Sequence, residues 1–140
     1  MNQEIQKLIQ EFQTFDDWEE KYSYLIELGK HLPKLEESKK NPANKINGCM
    51  SQVWMVLEYD RKRLYLYVDS DALIVRGLLA IVVRLCYGKT GEEILNIDFD
   101  NLLDKLEMKK RLTPSRNNGL YHIIKKIQET ARNYINTSKK

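Results

Sequence analysis

Cys49 is the residue whose type and position best suit chemistry in this sequence. It follows Gly48 where a polar segment meets an apolar, strand-like one, whereas a core cysteine normally lies within a periodic apolar stripe. A cysteine reacts as its thiolate, so it needs a positive group, a helix N-terminus or a general base nearby. The local pattern leaves a functional and a structural role open, because free cysteine is also among the most buried residue types.

The other cysteine and the two histidines are weaker candidates for a reactive or metal-binding role. Cys86 falls on the apolar stripe of a predicted helix, which favours a place in the core. His31 and His122 lie near the end of one predicted helix and on another, where a lone histidine is usually a surface residue. No C-x-x-C or H-x-x-x-H spacing occurs, so a metal or iron–sulfur site is not expected, and both cysteines are expected to be thiols.

Two further charged positions are candidates. Arg116 lies in the first turn of a predicted terminal helix that begins at Thr113-Pro114, where a cation opposes the helix dipole. A surface ion pair would explain it, and so would a site that needs a fixed donor fork. Segment 69–71, with two aspartates around a serine, is expected to cap the next helix through Asp69 or Ser70.

The elements that must position these residues begin with two amphipathic helices. The first is predicted to end near Thr14, and Gly29 and Pro33 are the predicted stop signals of the second. Residues 51–59 and 63–69 then follow a β pattern and predict an antiparallel hairpin. Its turn lacks glycine, so a connection longer than two residues is expected. One strand face is aliphatic and should meet helices, while Tyr65 and Tyr67 should line the opposite face.

The second half of the chain predicts helices only. The first should be deeply buried, with Gly77 allowing close packing and Gly88 ending it. Thr90 and Glu93 have the spacing of a capping box, Asp98 begins a short amphipathic segment to residue 106, and the terminal helix follows. The predicted fold class is therefore α+β: a small antiparallel β-sheet (meander) packed by helices.

The length, net charge and hydropathy of the chain argue against several classes of protein. A chain of 140 residues predicts a single domain over 1–140. A net charge of +3 is too small for nucleic-acid or membrane binding to be the default. No apolar run is long enough for a membrane span, and the first residues lack the pattern of a secretory signal, so a cytoplasmic location is expected.

Three separated segments carry a resemblance to a known family. They are residues 48–54 (GCMSQVW), 69–78 (DSDALIVRGL) and 112–120 (LTPSRNNGL), and in this order they look like the SufE family of cysteine desulfuration proteins. The likeness runs from about residue 15 to residue 130. Ser51-Gln52-Val53-Trp54 favours SufE over its CsdE-type relatives, and Met50 departs from the glutamine that SufE proteins often carry.

The resemblance implies a function and a set of residues. It implies an IscU-like fold and a sulfur acceptor that activates a SufS-type cysteine desulfurase, taking a persulfide sulfur onto Cys49 and giving it to a SufBCD-type iron–sulfur scaffold. It implies no intrinsic cofactor, since the pyridoxal phosphate stays with the desulfurase. The sequence leaves the oligomeric state open between a monomer and a weak homodimer. Arg116 is then a candidate to support the cysteine loop. The candidates for partner binding are Gly48 as a hinge, Ser51, Gln52 and Asp71.

Two other classes of function remain as alternatives. The first is a stand-alone thiol enzyme with Cys49 as nucleophile and His122 or His31 as base. The second is a non-catalytic interaction module in which Cys49 is inert.

Overall fold

A computed structural model describes residues 3–46 and 51–138 of the chain. The helices of the described part are α1 (Gln3–Gln13), α2 (Trp18–His31), α3 (Leu73–Cys86), α4 (Gly91–Leu95), α5 (Phe99–Lys105), α6 (Met108–Arg111) and α7 (Pro114–Ser138). The strands are β1 (Val53–Asp60), β2 (Arg63–Ser70) and β3 (Lys89–Thr90), in the order β1-β2-β3 with antiparallel neighbours. Short 3-10 turns span Glu37–Lys39 and Pro42–Asn44. The α+β class and the antiparallel meander are confirmed.

The turn of the hairpin differs from its prediction. Asp60 pairs with Arg63, so only Arg61 and Lys62 connect the strands, with φ angles of 51° and 69°. Two positive φ angles in a two-residue connection are typical of a type I′ turn, whose twist matches that of the flanking strands. The left-handed conformation costs roughly 1 kcal/mol per non-glycine residue. The prediction of a longer loop was wrong because a ladder of eight residue pairs offsets this cost.

The sheet divides into a buried and an open face as predicted. Leu64, Leu66 and Val68 are buried on the inner face, which packs against α3. On the other face Tyr67 is exposed and Tyr65 is half-buried. The helices therefore cover one side of the sheet, as the alternating pattern indicates.

Close packing between α2 and α3 depends on glycine. A Cβ atom added at Gly77 would lie 2.2 Å from the backbone oxygen of Leu25, closer than any real contact. The prediction for Gly77 is thus confirmed. Gly29 is buried at the same contact, and α2 continues past it to His31. Its prediction as a helix stop was wrong, because it serves close approach instead.

Helix ends in the second half follow local sequence signals. Gly88 follows Tyr87, the C-cap residue of α3, and has a φ angle of 72°. Thr90 and Glu93 form the predicted capping box of α4, and the Asp98 carboxylate accepts from the N–H of Asn101 at the start of α5. These ends were predictable because each cap is made within four residues.

The start of α3 does not follow the predicted cap. Its N-cap position is Ala72, which makes no side-chain capping bond. The Asp69 side chain is turned to Arg76, and the Ser70 hydroxyl accepts from the N–H of Ala72. Asp69 and Ser70 therefore belong to the end of β2, because a tertiary partner outweighs the local cap.

Helix α7 reaches β1 near both ends of the strand. The rings of Tyr59 and Tyr134 stack at 3.7 Å between centroids, far along both elements. At the other end, Val53 of β1 and Ile123 of α7 line one cavity. The first turns of α7 thus come beside the first residues of β1.

Candidate functional site

A cavity of about 360 Å³ lies where β1, α3 and α7 meet. Its polar lining residues are Ser51, Thr113 and Arg116. The remaining lining residues are small or apolar, namely Val53, Val75, Leu78, Leu79, Gly119, Leu120 and Ile123. A mostly apolar pocket with a few convergent polar groups is the usual form of a binding or reactive site.

Arg116 is half-buried in the wall of this cavity, in the first turn of α7. The helix start is held locally, since the N–H of Arg116 donates to the Thr113 hydroxyl at 3.3 Å. Within residues 3–46 and 51–138, no ion pair involves its guanidinium. The surface ion pair considered as an explanation is therefore not found among the described residues, and a guanidinium in a cavity wall is chemically suited to bind an anion.

Cys49 lies outside the described residues, as do Gly48 and Met50. The chain on both sides of them is described. The N–H of Ile46 donates to the backbone oxygen of Val53 at 2.8 Å, and Lys45 forms an antiparallel bridge with Trp54. The two flanks of this segment therefore meet as a short β-ladder at the start of β1.

Gln52 is held by Asp71 through a two-way contact. The N–H of Gln52 donates to the Asp71 carboxylate at 3.0 Å, and the N–H of Asp71 donates to the backbone oxygen of Gln52 at 3.3 Å. Both residues are exposed. Asp71 thus fixes the strand entry just after residue 50 rather than capping α3.

Asp69 is the centre of a buried polar network that sequence reasoning missed. It pairs with Arg76, which also donates to the backbone oxygens of Gly29 and Leu32. The same carboxylate accepts from the N–H of Leu35 at 3.0 Å. A signal was present in the sequence, since an arginine on the apolar face of a buried helix requires a partner.

Several influences set the pKa of Asp69. Burial raises it, but the N–H groups of Leu35 and Ser70 and the charges of Arg76 and Lys40 outweigh burial and hold the pKa below its ordinary value. The carboxylate is therefore ionised at neutral pH. It fixes the end of β2 against α3 and the chain that follows α2.

Cys86 and the two histidines lie apart from the cavity lining. Cys86 is a free thiol, fully buried, and burial raises its pKa to about 12. Its predicted core role is confirmed, because such a thiol is almost never a thiolate at neutral pH. His31 is exposed with Nδ1 2.8 Å from the oxygen of Glu27, and His122 is exposed on α7. Among the described lining residues there is no histidine, so no base for a thiol enzyme is found there.

The chain matches a known protein family over most of its length. The family model described as SufE, Fe-S metabolism associated domain, matches residues 6–131. The chain belongs to the SufE family. An uncharacterized SufE-like protein of Rhizobium etli is 42% identical over 132 residues, which cover 91% of this chain and 89% of that protein. SufE membership places the chain in iron–sulfur metabolism, with a role in sulfur transfer.

The fold has a counterpart among solved structures. The solution structure of a hypothetical protein from Thermus thermophilus matches with a TM-score of 0.76 over 95% of this chain and 96% of that one. Sequence identity is 15%, so this likeness concerns the fold alone.

Two further properties of the described residues concern metal binding and membrane insertion. In the described part of the chain, no group of three or more histidine, cysteine, aspartate or glutamate residues is arranged to hold a metal ion. No helix there is both long and apolar enough to cross a membrane.

Proposed function

We propose that this SufE-family chain accepts sulfur from a SufS-type cysteine desulfurase, activates that enzyme, and carries the sulfur on Cys49. One observation carries the proposal. In a chain of this family, Arg116 stands without an ion pair among the described residues, in a mostly apolar cavity that Ser51 also lines.

Cys49 is close in sequence to this cavity. It precedes Ser51 by two residues, and Ser51 lies in the cavity wall. An apolar pocket next to a sulfur-carrying cysteine would limit attack by small thiols and oxidants on its persulfide.

The proposed transfer is an exchange at sulfur without net oxidation. The Cys49 thiolate attacks the terminal sulfur of the persulfide on the desulfurase cysteine. A sulfur–sulfur bond to Cys49 forms as the donor sulfur–sulfur bond breaks, and the donor cysteine leaves as a thiolate. The terminal sulfur keeps its proton or charge and becomes the terminal sulfur of the Cys49 persulfide.

Arg116 is proposed to support the anionic forms of this site. A guanidinium near a cysteine stabilises the thiolate and lowers the thiol pKa. Its planar set of donors also suits a sulfur anion or a backbone oxygen of the segment that contains Cys49. This role accounts for an arginine at a helix start, where the helix dipole disfavours a cation.

The proposed partner surface contains Gly48, Ser51, Gln52 and Asp71. Because Asp71 holds Gln52 by two hydrogen bonds at the exposed surface, a docking partner that competes for its carboxylate would alter the chain next to Cys49. The residue thus links docking to the reactive segment.

The remaining steps of the proposal concern the pathway. The sulfur is proposed to pass to a SufBCD-type scaffold by the same exchange. The chain is proposed to act in the cytoplasm, where reduced thiols persist, as a monomer or weak homodimer and with no cofactor of its own. Pyridoxal phosphate remains with the desulfurase.

Desulfurase turnover tests this proposal against its alternatives. Sulfide release from L-cysteine by a SufS-type desulfurase should rise when the wild-type chain is added. It should stay at the level of the desulfurase alone with Cys49→Ser, which should still bind, as followed by a pull-down or titration.

The two alternatives predict different results. An interaction module would stimulate equally well as Cys49→Ser. A stand-alone thiol enzyme would show turnover without the desulfurase. Either result would contradict the acceptor role.

A further inference from the structure

Lys40 lies where the chain on one side of Cys49 meets the strand on the other side. Its Nζ atom is 3.4 Å from the Asp69 carboxylate and 3.3 Å from that of Glu37. The same atom lies 5.5 Å from the centroid of the Trp54 ring, within the range of a cation–π contact. Lys40 precedes Cys49 by nine residues, and Trp54 follows it by five.

The contacts of Lys40 are made to parts of the fold that are themselves fixed. Asp69 and Trp54 face each other in the register of β1 and β2. Asp69 is 1% exposed and is held by Arg76 and by the N–H groups of Leu35 and Ser70. The ammonium group therefore binds a rigid carboxylate on β2 and a ring on β1 at the same time.

The ladder that Lys40 supports is short. Outside β2, the described partners of the first residues of β1 are Lys45, which bridges Trp54, and Ile46, whose N–H reaches Val53. Two such contacts stabilise a pairing only marginally. Lys40 adds a contact five residues before Lys45, and this contact is made to the side chain of the same residue, Trp54.

The neighbouring lysine provides a contrast. Lys39 is exposed and takes part in no ion pair within the described residues. The Lys40 side chain is only 20% exposed, although the charge of the two residues is the same. The contacts are therefore specific to position 40.

We propose that Lys40 is a positioning residue for sulfur transfer, because its contacts with Asp69 and Trp54 hold together the two chain flanks between which Cys49 is carried. This inference rests on the proposed function of Cys49. Lys40 itself touches no reacting atom. Its contacts hold the described flanks on the two sides of residues 47–50 and thereby influence how Cys49 is presented to the donor persulfide.

Two measurements test the proposal on Lys40→Met, which keeps most of the aliphatic stem and removes the charge. The first is amide hydrogen exchange by NMR in the free protein. The N–H of Ile46 should exchange about two- to five-fold faster than in the wild type, as expected for the loss of a partly exposed ion pair and cation–π contact. Core amides of α3, such as that of Leu85, should keep their rates.

The second measurement is desulfurase stimulation as a function of the concentration of this chain. The maximal rate should fall by a similar factor in Lys40→Met, while the concentration for half-maximal stimulation stays the same. Lys40→Arg should restore the exchange rate of the Ile46 N–H and the maximal rate of stimulation, because arginine keeps the charge and the stacking on tryptophan. Lys39→Met is the matched control and should behave as the wild type.

Four results would overturn the proposal. They are an unchanged exchange rate at Ile46, a faster rate spread equally over the core amides, no recovery in Lys40→Arg, and an equal effect of Lys39→Met. The exchange experiment needs no desulfurase, so its failure is distinct from a failure of the proposed function, which would appear as absent stimulation by the wild type.

Discussion

At the scale of single residues, two cysteines of one chain differ in what they can do. Cys86 lies in the core of α3, where burial raises its pKa to about 12. Cys49 is two residues from Ser51, which lines a cavity together with Arg116. A nearby guanidinium favours a thiolate, and an apolar core disfavours it. This difference supports the proposal that Cys49, and not Cys86, carries the sulfur.

Arg116→Ala should slow sulfur acceptance without unfolding the protein. Loss of one charged hydrogen bond at a reacting anion corresponds to about a tenfold lower rate. The rate is measured by rapid mixing with a persulfide-loaded desulfurase. The matched control is Arg132→Ala, an exposed position on the same helix, which should transfer at the wild-type rate. Full transfer by Arg116→Ala would remove Arg116 from the mechanism.

Asp69 is the residue at which stability should depend on pH. Its pKa is lowered in the folded state, so its contribution is fully present above its ordinary value of 3.8 and is lost as pH falls through the folded-state pKa. Removing one partner of a buried pair costs about 3 kcal/mol. Asp69→Asn should therefore lower the free energy of unfolding by about this amount at pH 7, and the difference from wild type should shrink below pH 4.

Denaturant unfolding at a series of pH values measures this difference. Asp71→Asn is the comparison, because Asp71 is exposed and its loss should cost less than about 1 kcal/mol. An Asp69→Asn difference that stays constant down to about pH 2 would contradict the assignment.

At the scale of elements, α2 and α3 pack closely at Gly29 and Gly77. A Cβ atom at Gly77 would clash with the backbone of Leu25, which no side-chain rearrangement relieves. Gly77→Ala should lower the free energy of unfolding by about 3 kcal/mol, as overpacking does. Thermal or denaturant unfolding checks this.

Gly88→Ala gives the matched comparison. An added Cβ atom there meets nothing closer than 3.9 Å, and only the φ angle of 72° opposes it. The expected loss is about 1 kcal/mol. Equal losses at the two glycines would mean that close packing does not explain Gly77.

At the scale of the whole molecule, the sequence predicted what local patterns determine. The aliphatic face of β2, the capping box of Thr90 and the core position of Cys86 each follow from spacing within one element. The two-residue turn at Arg61 was mispredicted because strand pairing outweighed a local preference. The cap assigned to Asp69 was mispredicted because its partner, Arg76, acts through the tertiary fold.

The candidate site was predictable in part. The sequence singled out Cys49 and Arg116, but the cavity that Arg116 lines is built from segments 51–53, 75–79 and 113–123, which only the fold brings together. The contact of Asp71 with Gln52 and the position of Lys40 over Trp54 are likewise products of strand register. No spacing rule within one element predicts such contacts.

Intact mass spectrometry tests the central claim most directly. The wild type, Cys49→Ser and Cys86→Ala proteins are incubated with a SufS-type desulfurase and L-cysteine, with and without reductant. We predict a gain of about 32 Da per sulfur that reductant removes, in the wild type and Cys86→Ala but not in Cys49→Ser. The same gain in Cys49→Ser, or no gain in the wild type, would contradict the claim that Cys49 carries the sulfur.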